Sequence, residues 1–190
     1  LIITRKRKKR VFIIHRWGGN PKSDWYSWLK QELEKKDFEV FIPTMPNSNN
    51  PEINSWVNHL KKQVGVLDNE TYFIGHSIGC QTVMRYLETL PENTKLGKII
   101  FVAGWFNLDN IEDEESEEIA KPWIETPINF NRIKKIVNKI TVFLSSNEPY
   151  GFVRENEKIF KEKLNAKVII EKNKGHFISN NLPEALNALK

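Results

Sequence analysis

The run Thr71-Tyr72-Phe73-Ile74 leads straight into Gly75-His76-Ser77-Ile78-Gly79, and Val83, Met84, Leu87 and Leu90 follow at helical spacing. A strand that must become a helix within five residues leaves few architectures open. The serine at the apex is forced into a strained backbone conformation, and side chains two positions to either side have no room, which accounts for Gly75 and Gly79. Ser77 then stands at the end of a sheet and the start of a helix, with the Ile78 N–H facing the place an oxyanion would occupy. Such a turn serves acyl transfer from a serine nucleophile. The bare pentapeptide also fits an ordinary tight βα loop; the strand before it and the helix behind it favour the nucleophile turn.

Short β-branched or aromatic runs at 11–15, 40–42, 72–74, 98–102, 140–144 and 168–170 read as six strands. Between them, Trp25, Trp28, Leu29 and Leu33 mark one amphipathic helix. Ile53, Trp56, Val57, Leu60, Val64 and Leu67 mark a second, for which Asn50 and Pro51 suit the N-cap and first position. Further helices are expected over 78–90, 129–137, 153–164 and 183–189. Continuous apolar strands alternating with helices predict an α/β fold: a parallel sheet covered on both faces. The segment 104–127 breaks this rhythm with seven acidic residues between Asp109 and Glu118. It reads either as a solvated acidic loop or short helix, or as a small cap with Trp105, Phe106 and Trp123 lining a pocket.

A chain of 190 residues, 39% hydrophobic, can bury one substantial core, so 11–190 is expected to be a single domain. The net charge of +5 is concentrated in the run from Arg5 to Arg10; without it 23 basic residues face 24 acidic ones. Residues 1–10 therefore read as a basic flexible extension, available for weak contact with an anionic surface through Arg5–Arg10. A single cysteine, Cys80, fits a reducing compartment, and no run of 18 apolar residues suggests a membrane helix. Leu1-Ile2-Ile3 is too short for a signal-peptide core, and the expected location is cytoplasmic.

A serine hydroxyl needs a general base. Of four histidines, His59 lies on the polar side of its helix, His76 adjoins the serine in a turn whose neighbours point apart, and His15 opens a Gly-rich turn with a loop-shaping role. His176 sits on the loop after the last strand, at the carboxyl edge of the sheet, where a mobile base belongs. The loop after strand 140–144 offers Glu148 as the carboxylate that orients it; the bland alternative is a turn glutamate before a proline. The second oxyanion N–H would come from Arg16 or Trp17 in His15-Arg16-Trp17-Gly18-Gly19, whose glycines lack the spacing of a dinucleotide site. No cofactor and no metal is expected.

These residues, with Pro43-Thr44-Met45-Pro46, Trp56, Lys121-Pro122-Trp123, Asn147-Glu148-Pro149-Tyr150 and Gly175-His176-Phe177, resemble the retinoblastoma-binding-protein-nine and YdeN-like serine hydrolases, a compact branch of the α/β-hydrolase superfamily. The resemblance spans nearly the whole chain from Val11. It implies a three-layer α/β/α sandwich with sheet order 2-1-3-4-5-6, no large lid, and a triad of Ser77, Glu148 and His176. The substrates expected are small esters, thioesters or amides; the alternative is an interaction module that keeps the fold with little catalysis. The chain departs from the family at Glu148, where Asp is usual, at Gly151-Phe152, where Val-Pro often follows, and at Arg16, where glycine is frequent. Arg16 at the pocket mouth would favour anionic or polar substrates.

Overall fold

Along β1 (Arg10–Ile14) alternate residues enter two different cores: Val11 and Ile13 join one apolar cluster, Phe12 and Ile14 the other. Side chains on a strand alternate between faces, so a strand apolar at every position must be covered on both sides. The computed structural model describes residues 8–189, and in it α1 (Tyr26–Glu34) and α7 (Pro183–Ala188) cover the first face. The second is covered by α2 (Ile53–Val64), α3 (Ile78–Leu87), α5 (Phe130–Ile136) and α6 (Val153–Leu164). Between these layers β1, β2 (Glu39–Phe41), β3 (Thr71–His76), β4 (Ile99–Val102), β5 (Ile140–Ser145) and β6 (Lys167–Glu171) pair in parallel in the order β2-β1-β3-β4-β5-β6. The three-layer sandwich and the strand order implied by the family resemblance are both present. Among the described residues no helix is long and apolar enough to cross a membrane.

Because the chain leaves β1 to one side for β2 and returns to the other for β3, the carboxyl ends of β1 and β3 flank a crevice, where ligands of open α/β sheets bind. His15, Ser77 and Trp105 all follow strands that end on this edge.

Three local features differ from the sequence reading. The helix over 53–64 starts from Glu52 in extended conformation, with no side-chain cap, so Asn50 and Pro51 lie before it. The acidic segment contains a full helix, α4 (Glu114–Glu125), capped by Asp113, whose side chain accepts from the Ser116 N–H. Three carboxylates in its first turn complement the positive end of the helix, and Pro122 lies inside it, where it offers no N–H to the Glu118 carbonyl. Finally, β1 begins at Arg10, whose guanidinium donates to the Val64 and Val66 carbonyls and to Thr71 Oγ1 at 2.9 Å. Lys8 pairs with Asp37 at 2.9 Å, and Lys9 lies over the rings of Phe38 and Tyr72. The last three residues of the basic run are thus engaged by the folded body; Arg5, Lys6 and Arg7 lie outside the described residues.

Arg85 on α3 holds the excursion down. It is 3% exposed and donates to Gln81 Oε1 at 3.0 Å and to the carbonyls of Trp123 and Thr126 at 3.0 and 2.8 Å, at the C-terminal end of α4. Its charge meets the negative end of that helix in place of a carboxylate.

Candidate active site

Ser77 occupies φ 55°, ψ −121°, with its N–H donating to the Val102 carbonyl at 2.8 Å. A positive φ costs a non-glycine residue about 1–2 kcal/mol, and the turn is held by close packing around the two glycines. A Cβ on Gly75 would stand 2.7 Å from the Cys80 backbone, and one on Gly79 would stand 2.3 Å from the Ile14 carbonyl oxygen. The Ser77 side chain, 5% exposed, accepts a hydrogen bond at 3.1 Å from the indole N–H of Trp105. Among the described hydrogen bonds none joins Ser77 to His176, although both side chains line one cavity.

His176 Nδ1 lies 2.7 Å from Glu148 Oε1, with both side chains 12% exposed. The Tyr150 ring meets the imidazole edge-on at 5.0 Å. Short polar side chains before the acid tie the two loops together. Ser145 Oγ accepts from the Lys174 N–H at 2.9 Å, Ser146 Oγ from Asn173 at 3.1 Å, and Asn147 Oδ1 from Gly175 at 2.8 Å. A Ser-Ser-Asn run between a strand and an acid is the available signal, since such short side chains bond nearby backbone rather than extend a strand. Gly151 and Phe152 both have positive φ, 68° and 51°. Proline cannot take such a conformation, so this stretch has a shape that a Val-Pro pair would forbid.

In the turn after β1 the Arg16 N–H is already donated to Tyr26 Oη at 3.0 Å. Of the two candidate donors Arg16 is therefore engaged, whereas the Trp17 N–H makes no bond among the described hydrogen bonds. The Arg16 side chain is equally committed, with Nε 2.7 Å and Nη2 3.3 Å from the two Asp24 carboxylate oxygens. Asp24 neutralises the charge that the sequence reading assigned to anionic substrates. His15 bridges the Arg16 carbonyl through Nδ1 at 2.8 Å and the Met45 N–H through Nε2 at 3.0 Å, joining the turns after β1 and β2.

The cavity beside Ser77 measures about 210 Å³. Arg16, Trp17, Trp105, Tyr150 and His176 line it with Ser77, and the excursion adds Leu108, Ile111, Glu112 and Ser116. The excursion therefore presents apolar and polar groups, one carboxylate among them, to the cavity, and only one of the three expected aromatics takes part. Phe106 packs against Phe130 and Phe160, and Trp123 stacks edge-on against Trp56 and donates to the Pro51 carbonyl at 2.9 Å. Both belong to the core. Among the described residues no group of three His, Cys, Asp or Glu side chains could hold a metal ion.

His15 and His76 have no exposed surface, and burial is the main cause that lowers both pKa values below the ordinary 6.5; the nearby His176 lowers that of His76 further. Below pH 6.5 the unfolded chain binds protons at these two sites that the native state refuses, so stability falls with pH from there. Each site contributes up to about 1.4 kcal/mol per pH unit until its folded pKa is reached. Thermal melts between pH 7.5 and 5 should show a declining Tm; a flat profile would contradict neutral burial of both rings.

A family model described as serine hydrolase matches residues 11–185. YdeN of Bacillus subtilis (strain 168) is 35% identical over 97 residues, 51% of this chain and 51% of that protein. This match spans about half the length of that relative. The serine hydrolase RBBP9 of Rattus norvegicus is 25% identical over 184 residues, 96% of this chain and 94% of that one. The crystal structure of the ydeN gene product from B. subtilis superposes with a TM-score of 0.86 at 24% identity, covering 96% of this chain and 97% of that one.

Proposed function

This chain belongs to the serine hydrolase family, and on that premise we propose that it hydrolyses small ester, thioester or amide substrates through an acyl-enzyme on Ser77. The observation that carries this reading is the 2.7 Å pairing of His176 Nδ1 with Glu148 Oε1 on a cavity whose wall includes Ser77. With Nδ1–H bound to the carboxylate, Nε2 is the basic nitrogen. It takes the proton of Ser77 Oγ as the hydroxyl attacks the carbonyl carbon. The N–H groups of Ile78 and Trp17 bind the developing oxyanion, and the imidazolium, stabilised by Glu148, returns the proton to the leaving group. Water then repeats the sequence on the acyl-enzyme. The resting bond from Trp105 uses the lone pair of Oγ, so the serine proton remains available to the imidazole. Hydrogen bonds of this kind tighten only once substrate is bound. A cavity of about 210 Å³ lies below the roughly 300–1,000 Å³ of sites for drug-sized ligands, and its aromatic and aliphatic walls suit a short acyl or alkyl group.

The test is covalent labelling with a fluorophosphonate and mass-spectrometric mapping of the adduct. The expected adduct is on Ser77; an unlabelled protein at neutral pH, or an adduct elsewhere, overturns the reading. Glu148→Gln keeps the shape but removes the charge that stabilises the imidazolium, and kcat for a small ester should fall about 10⁴-fold. An unchanged rate would remove Glu148 from the proposed triad.

A further inference from the structure

We propose that His76 and Tyr26 are positioning residues, locking the His176 loop and the oxyanion turn into one register through a buried, one-directional chain of hydrogen bonds. This rests on the hydrolase reading of Ser77 and His176. The Arg16 N–H lies 3.0 Å from Tyr26 Oη, which lies 2.6 Å from His76 Nδ1; His76 Nε2 lies 2.8 Å from the His176 carbonyl oxygen. A carbonyl can only accept, so Nε2 carries the hydrogen. A neutral imidazole then has a bare Nδ1, so the tyrosine O–H must donate to it. An amide can only donate, so the Arg16 N–H fills the acceptor site on the tyrosine oxygen. With His76 kept neutral by its burial, the tyrosine O–H turns to Nδ1 rather than to the neighbouring Asp24 carboxylate, and the direction of every bond follows.

Tyr26 and His76 have no exposed surface, so water does not substitute for any link. Tyr26 packs in the same apolar cluster as Leu29 and Leu33, where phenylalanine would fill the space as well. The hydroxyl is accounted for by the chain. One end of the chain is the backbone of His176, whose ring moves the proton. The other is the amide next to Trp17, whose N–H faces the oxyanion in the proposed mechanism. A misplacement of about 1 Å between such groups can cost about a hundredfold in rate. The neutral state of His76, maintained by burial, also matters. Its ring centre is 5.4 Å from that of His176, where a positive charge forms in turnover, and the nearest carboxylate oxygen, Asp24 Oδ2, is 3.8 Å from Nδ1 and bound to Arg16.

Tyr26→Phe, His76→Asn and His76→Gln in the full chain provide the test. Asparagine keeps an acceptor near Nδ1 and loses the donor to His176; glutamine places an N–H near Nε2 and loses the acceptor. With a fluorophosphonate, Tyr26→Phe, His76→Asn and His76→Gln should each lower the maximal labelling rate about ten- to a hundredfold at unchanged reversible probe affinity, because each cuts one link of the chain. A wild-type rate in Tyr26→Phe, or in either His76 variant, overturns the proposal. Nitrogen NMR of the unmodified protein gives a reading independent of activity and of variant folding. His76 should carry its proton on Nε2 with Nδ1 bare; a proton on Nδ1 overturns the chain. Failure of the wild type to label, with that tautomer intact, would instead strike the hydrolase reading itself.

Discussion

Replacement of Ser77 by alanine is expected to lower kcat for a small ester by about 10⁶-fold and to leave the protein folded. The loss follows from the proposed chemistry, because without Oγ no acyl-enzyme forms, and the other groups act only on an attack that no longer occurs. The fold should tolerate the change. Alanine fits wherever serine did, and the backbone strain at φ 55° is present in both. The one group left without its partner is the Trp105 indole N–H, which lines the cavity and can turn to water there. Initial rates and a thermal melt on the same preparation check both halves. Activity within tenfold of the parent would exclude Ser77 as the nucleophile, and loss of the melting transition would show that the hydroxyl is structural.

Gly79→Ala should prevent stable folding altogether. The new methyl would stand 2.3 Å from the Ile14 oxygen, 2.9 Å from its carbon and 3.0 Å from the His15 oxygen. These are backbone atoms at the end of β1, where Ile14 is in register with Gly75 of β3, so relief of the clash must pull apart the centre of the sheet. A cost above about 4 kcal/mol is expected, a large share of the roughly 5–15 kcal/mol that holds a domain together. Gly65→Ala is the matched control. Its φ of 63° and ψ of −131° are unfavourable for alanine, yet nothing lies within 4 Å of the added methyl, and only about 1–3 kcal/mol should be lost. Urea unfolding of the pair separates steric from conformational cost; equal midpoints would refute the packing argument.

The sequence carried the sheet almost residue for residue, because a strand buried on both faces leaves an unbroken apolar run and each helix leaves a 3.6-residue stripe. Periodicity says that a side chain faces something apolar and does not say what. Trp105, Phe106 and Trp123 look alike in sequence, yet the first meets the Ser77 cavity and the other two fill the core. The helix α4 was obscured by its own carboxylates and by Pro122, which weaken an apolar stripe without preventing a capped helix. Ser77, Glu148 and His176 could be nominated from element order, since the loops that follow β3, β5 and β6 share one sheet edge. Arg16 was misread for a different reason. Its partner Asp24 lies eight residues away across a turn, and a side chain's charge says little about function until its counter-ion is known. His76 was set aside because adjacent residues diverge in a turn; that it would need partners for both ring nitrogens follows from its place at the end of a fully buried strand.

The clamp at Arg85 and the histidine bridges respond differently to acid. Arg85 is held by carbonyl and amide oxygens, which do not titrate, so these contacts do not themselves depend on pH. On the opposite wall, His15 and His76 fasten the turn after β1 and the His176 loop through neutral rings that must lose a bond when they gain a proton. A proton on either ring would cost a link beside the serine, at Met45 or at Tyr26, while the Arg85 contacts keep every partner they have.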